Sequence, residues 1–262
     1  MRGARIAAVL DREVAELLRN RLLLLSILVP PVVIVVGPVV LGKLIAGRPL
    51  PAALAATLVA DRQVWASLSP ADLAAAYSFQ QFLLFFLMLP AFIPLSIATF
   101  SIIGEKQSRT LEAVLATPIR TVELLAGKAI AAAAPGIAGG LIAYLAFAGL
   151  VRILYGPALF AIVSAPDWLA ATFLLGPAIA LLSVVLGILV SSRANDPRTA
   201  QQVGAVIVVP LVAVVIAQAA GRFLVDATGY GLAAAAVLLV AIAGLRAGSG
   251  LFAREAILTR WR

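Results

Sequence analysis

Six stretches of this chain, at 22–45, 79–103, 129–151, 168–190, 203–221 and 227–245, run for the length of a membrane span with scarcely a charge. A hydrocarbon core about 30 Å thick needs roughly 20 apolar residues of helix to cross it. Backbone N–H and C=O groups inside lipid find no water, so they must pair within the segment, and a single spanning segment is therefore helical. The runs are unbroken and do not alternate, which excludes an outer-membrane barrel. Composition agrees: 63% of the residues are hydrophobic and 12% are charged, against roughly 45–50% and 25% in a soluble domain. The expected fold class is an all-α membrane protein of six transmembrane helices. The first run is too long for a signal core, and mixed residues precede it, so it reads as a span.

Orientation follows from lysine and arginine. Of the 20 basic residues, 15 lie in one set of flanks: the N-terminal segment, the loops near 104–128 and 191–202, and the C-terminal tail. The other set holds Lys43, Arg48, Arg62, Arg152 and Arg222. The positive-inside rule then places both termini and the richer loops in the cytoplasm, with the chain in the cytoplasmic membrane. The net charge of +8 is accounted for by these flanks meeting anionic lipid headgroups, and no nucleic-acid partner is expected. Trp65 and Trp168 fall on the outer side, where an amphipathic ring favours the membrane interface.

Three regions are expected. Residues 1–21 form an interfacial helix, 22–246 the six-span domain, and 247–262 a cytoplasmic tail. In the first, Ile6, Val9, Leu10, Val14, Leu17 and Leu18 share one face at 100° per residue, opposite Arg5, Arg12, Glu16 and Arg19. That pattern suits a helix lying on the membrane, or a solvated helix before a span. Glu13 interrupts the apolar stripe, and an unpaired carboxylate there is costly. It is expected to meet a cation, with Lys106 and Arg109 the candidates, or the amides of a helix start.

The loop 104–128, GEKQSRTLEAVLATPIRTVELLAGK, is too polar to span and too patterned for a linker. Leu111, Val114 and Leu115 make a short apolar face at helical spacing. Thr117–Pro118 is a helix start, a hydroxyl cap before proline at the first helical position. Alternatively Thr121 caps the next helix, with Glu123 in its first turn, where a carboxylate suits the dipole. Two short helices meeting below the membrane form either a docking knob or a solvated hairpin, and the pattern alone fits both.

This loop resembles the signature of the type-2 ABC permease family: an opening Glu, Thr-Leu-Glu, Leu-Ala-Thr-Pro, then Glu-Leu-Leu-x-Gly-Lys. The matching residues are Glu105, Thr110, Leu111, Glu112, Leu115, Thr117, Pro118, Glu123, Leu124, Gly127 and Lys128. The family's common glycine before Thr-Leu-Glu is Arg109 here. Asp11-Arg12-Glu13 with Leu17, Leu18, Arg19, Asn20 and Arg21 resembles the family's opening helix, and Leu251-Phe252-Ala253-Arg254-Glu255 its ending. The resemblance implies a half-transporter in which two six-span permeases, identical or not, face one another above two ATPase subunits. It also implies that the loop, through Glu105, Thr110, Leu111, Glu112, Val114, Leu115, Thr117, Pro118 and Glu123, is the coupling helix seated in the ATPase.

Independent checks follow from what the chain lacks. A phosphate-binding P-loop needs Gly, four residues, then Gly-Lys-Ser/Thr, and neither Gly42-Lys43 nor Gly127-Lys128 fits. ATP and Mg are therefore expected on a separate ATPase, with no catalysis and no cofactor in this chain. There is no cysteine and no histidine, which removes thiolate chemistry and Cys/His metal sites. No Asp or Glu falls inside the six runs. Intramembrane acids mark proton and ion relays, so a secondary carrier is the weaker alternative to an ATP-driven exporter. An ABC complex that extracts lipid or signals is another. Ser96, Thr99 and Gln218 are candidates to line a pathway whose apolar character suits an amphiphilic cargo. Gly136 and Gly140, one turn apart, suit close helix approach, and frequent prolines in the runs imply bends.

Overall fold

The computed structural model describes residues 21–45, 48, 50–108, 121–194, 196–219 and 225–248, with positions 7, 11, 15 and 19. All regular structure among them is helical. Six stretches are long and apolar enough to cross a membrane: Ile27–Ile45, Pro70–Gln107, Ala126–Leu154, Pro166–Ser192, Pro197–Val214 and Ala227–Arg246. They coincide with the six expected runs but extend several of them. The sixth is a continuous helix, Ala227–Gly248. The fifth begins at Pro197 rather than 203, so Gln201 and Gln202 belong to it. Positions 7, 11, 15 and 19 are helical and exposed. Glu13 and the apolar stripe around it lie outside the described residues.

The second span is the hub. In its most apolar part 72% of residues are buried, against 22% in the first span and 17% in the sixth. The first span shows why the others can afford exposure in lipid. Leu25, Leu28, Val29, Val32, Val33, Val36 and Val40 form one exposed stripe at helical spacing, a surface that hydrocarbon covers.

Two helices are broken where proline removes a donor. The second span consists of Pro70–Phe86 and Met88–Gln107, joined at Leu87. Pro90 has no N–H for the Phe86 carbonyl four residues back. In the fourth span Pro177 likewise denies the Phe173 carbonyl, and the preceding turn, Ala171–Leu175, widens to a π-helix in which the Gly176 N–H reaches the Ala171 carbonyl. The two breaks lie against each other, because a side chain added at Gly176 would lie 3.7 Å from Pro90 Cγ and 3.9 Å from Leu87 Cδ2.

The span termini are set by local chemistry. Ser69 caps the helix starting at Pro70: its hydroxyl accepts the Asp72 amide at 3.1 Å and donates to the Asp72 carboxylate at 2.7 Å. Asp196 does the same before Pro197, accepting from the Thr199 amide at 2.9 Å. That amide bond holds the Asp196 carboxyl below the usual carboxylate range.

Two expectations are corrected. Trp65 and Trp168 are not exposed at the membrane interface, since both rings are buried inside the protein. Trp168 stacks on Phe147 with ring centres 5.4 Å apart and meets Phe86 edge-on at 5.9 Å. A fully buried indole needs a partner for its N–H, and Trp168 donates it to the Gln80 carbonyl at 3.2 Å. The second correction concerns acids. The spans reach further than their apolar runs, so Asp72, Glu105 and Asp167 lie inside two of them, the last two buried.

Gly136 packs the third span onto the second. A methyl there would overlap the ring of Pro94, whereas one at Gly139 would meet only Ile93 Cδ1 at an ordinary 3.6 Å. Overpacking of this kind costs about 1–3 kcal/mol. Gly136→Ala is expected to lower the thermal midpoint of the detergent-purified protein, and Gly139→Ala to leave it unchanged. Equal midpoints for the two variants would show that this contact yields freely.

Candidate coupling site

The spans alternate in direction, so the residues flanking the loop 104–128 gather at one end of the bundle. Lys106 confirms the gathering: its ammonium donates to the Ala194 carbonyl at 3.3 Å, joining the end of the second span to the turn between the fourth and fifth. Both basic-rich loops therefore lie at the same end.

At the base of the loop sits a buried ion pair. Glu105 is on the last turn of the helix Met88–Gln107, and Lys128 is on the second turn of the described helix Thr121–Leu154. Their charged groups approach to 3.1 Å, and each side chain is 4% exposed. The Lys128 ammonium also donates to Ser101 Oγ at 2.6 Å. Ser101 and Glu105 are one turn apart, so one helix face presents both acceptors to the same cation. A lone buried charge is costly, whereas a pair with further hydrogen bonds offsets much of its desolvation. The pair thus brings together the two ends of the chain segment that enters and leaves the loop.

The sequence-derived residues are placed unequally. Glu105 is half of this pair. Thr110, Leu111, Glu112, Val114, Leu115, Thr117 and Pro118 lie outside the described residues. Glu123 is in the helix Thr121–Leu154, with its side chain outside the description. Ser96 is half-buried. Thr99 is fully buried and its hydroxyl donates back to the Leu95 and Ser96 carbonyls at 2.9 Å. Gln218 is on the helix Val208–Ala219, its side chain again outside the description. Among the described contacts, Ser96 and Thr99 meet only through that bond to the Ser96 carbonyl, within one helix turn.

The partnership of Lys128 and Ser101 with Glu105 was missed in sequence reading, although opposite charges at equal depth on consecutive spans were a usable signal. A second ion pair, between half-buried Arg62 and buried Asp167, lies at the opposite end. Among the described residues no group of three or more acids could hold a metal ion.

The family model of the ABC-2 family transporter proteins matches residues 7–226, which include the loop and both ion pairs. The chain belongs to the ABC-2 transporter family. No curated protein matches it. As an ABC-2 permease it is the membrane component of a transporter and not itself the catalyst, and proteins of this family typically partner with an ATPase subunit. It is a multi-pass membrane protein.

If Glu105 and Lys128 hold the permease's loop ends together, they should be energetically coupled. Lys128→Met removes the ammonium facing a buried carboxylate and is expected to destabilise the protein by about 3 kcal/mol, and Glu105→Gln combined with Lys128→Met to recover most of that loss. Reversible unfolding in mixed detergent measures both. A double-variant loss equal to the sum of the losses of Lys128→Met and Glu105→Gln measured singly would show no coupling.

Proposed function

We propose that this chain is the permease of an ATP-driven exporter in the cytoplasmic membrane, with both termini and the loop 104–128 on the cytoplasmic side. The loop seats in a separate ATPase subunit, two of which bind ATP and Mg and drive a pair of permeases, identical or not. The observation that carries this reading is the Glu105–Lys128 pair, buried at the base of the loop. A loop held at both ends to two packed spans can hand a push at its tip to those spans, whereas a freely hinged one would absorb it.

Three further features support the reading. The chain has no phosphate-binding motif of its own, so its drive must enter from a partner. Fifteen of its 20 basic residues share the flanks of the loop's end. Both buried span-end carboxylates, Glu105 and Asp167, face a cation, which suits fixed structural charges better than a proton relay. The proposed pathway runs along the second and fifth spans, past Ser96, Thr99 and Gln218. Thr99 reaches it only if the second span turns, because its hydroxyl now faces its own helix. The apolar walls suit an amphiphilic cargo.

The apolar residues of the loop supply the test. Leu111 and Leu115 would each contribute roughly 1.5–3 kcal/mol if fully desolvated in a partner cleft, and a loss of about 3 kcal/mol weakens binding on the order of a hundredfold. Leu111→Ser with Leu115→Ser is expected to leave the membrane fold intact but release the ATPase on co-purification, or abolish cargo-stimulated ATP hydrolysis. Normal binding together with normal stimulation would reduce the loop to a hairpin.

A further inference from the structure

The end of the bundle away from the loop holds a charged site that coupling does not use. Arg62 follows the helix Ala52–Asp61, between the first and second spans. Its Nη1 lies 2.9 Å from Asp167 Oδ2, and its Nη2 donates to the Val225 carbonyl at 2.9 Å. Asp167, in the first turn of the fourth span, also accepts from Gln80 Nε2 at 3.1 Å. The Gln80 carbonyl in turn takes the Trp168 N–H. The Asp167 side chain is 3% exposed and that of Arg62 19%.

These groups wall a cavity of about 280 Å³, lined by Arg62, Trp65 and Asp167 together with apolar residues that include Ile162, Pro166 and Ala227. Its level in the fold is informative. Asp167 and Ala227 begin the fourth and sixth spans, so the cavity lies at the depth where lipid headgroups meet the hydrocarbon.

The chemistry selects the ligand. A guanidinium has five N–H donors and a carboxylate about four acceptor positions. Among the described residues, bonds to Asp167 fall on Oδ2 and those from Arg62 use one hydrogen on each Nη, so both groups keep capacity toward the cavity they line. A simple anion entering there would be opposed by Asp167, and a simple cation by Arg62. A group carrying both charges can be oriented so that each repulsion is offset by an attraction. Trp65 adds an aromatic ring to the same wall, and alkylammonium groups are attracted to such faces. We propose that Arg62, Asp167 and Trp65 form a recognition site for a zwitterionic phosphate–ammonium headgroup, with the phosphate at Arg62 and the ammonium between Asp167 and Trp65. This names the chemistry of an amphiphile the permease would hold. The site does not depend on an ATPase or on the direction of transport, so it and the coupling role of the loop can fail separately.

The full chain, purified in an uncharged maltoside and carrying Trp261→Phe to reduce background, is titrated below micelle formation. The ligands are dihexanoyl phosphatidylcholine, dihexanoyl phosphatidylglycerol and free phosphocholine, and the readout is tryptophan fluorescence. Saturable binding of the choline lipid, about tenfold or more tighter than the glycerol lipid, is expected. Arg62→Gln should weaken it at least that much. Ala161 lines the cavity and is exposed, so Ala161→Phe fills the space without removing the ion pair and should weaken binding in a protein of unchanged thermal stability. Equal binding of free phosphocholine supports the site and assigns its ligand to soluble zwitterions, and binding of the acylated compound alone assigns it to lipid. Equal or tighter binding of the anionic lipid, no saturable binding, or full affinity in Ala161→Phe would overturn the proposal and leave Arg62–Asp167 as a structural latch.

Discussion

The rest of the structure depends on how the second span is buried. A helix surrounded by lipid can carry apolar residues on every face, but one surrounded by protein loses stability for each buried polar group left without a partner. The second span brings Gln80 near one end and Glu105 near the other, and both are buried. Each recruits a neighbour. Gln80 joins Asp167 and Trp168 of the fourth span, and Glu105 joins Lys128 of the third. Polar satisfaction at the two ends and glycine-to-proline contacts between them fix the third and fourth spans around one axis.

That axis is interrupted. The break at Leu87 and the π-helical turn 171–175 stand side by side, both produced by prolines that leave a carbonyl without its usual donor. Prolines and π-turns account for such kinks, and π-turns are frequent at functional sites. The arrangement places an irregular layer between a charged pair at the loop end and a charged pair at the opposite end. If the loop couples as proposed above, a displacement there would reach that layer along the helix Met88–Gln107.

Much of this was legible in the sequence. The hydrophobic runs gave the six spans, because lipid leaves the chain few alternatives, and Gly136 announced the close approach of the third span, whereas a methyl at Gly140 would meet Pro90 at an ordinary 3.5 Å. What was illegible has a common cause: periodicity reports which face is apolar but not which neighbour covers it. Trp168 read as an interfacial anchor, because an aromatic residue near a span end usually faces headgroups, and only its contacts with Phe147 and Gln80 show otherwise. Glu105 and Asp167 read as flanking acids, because each falls just outside its apolar run. A partner of opposite charge let each helix continue past the point where hydropathy alone would end it. The family was legible in the Thr-Leu-Glu and Leu-Ala-Thr-Pro segments, whose residues are outside the described structure, while the clamp beneath them needed the structure.

The central claim is that the loop beyond Glu105 and Lys128 is where force enters. A photoreactive benzoyl-phenylalanine inserts into C–H bonds within its reach, so the chain it captures is the one that lies against it. The most direct measurement installs it in place of Leu115, and separately in place of Val64, which is exposed at the opposite end, in the assembled transporter. On this account irradiation joins the ATPase subunit to the chain from position 115 and not from position 64. An adduct from position 64, or none from position 115 in a complex that still co-purifies, would contradict it.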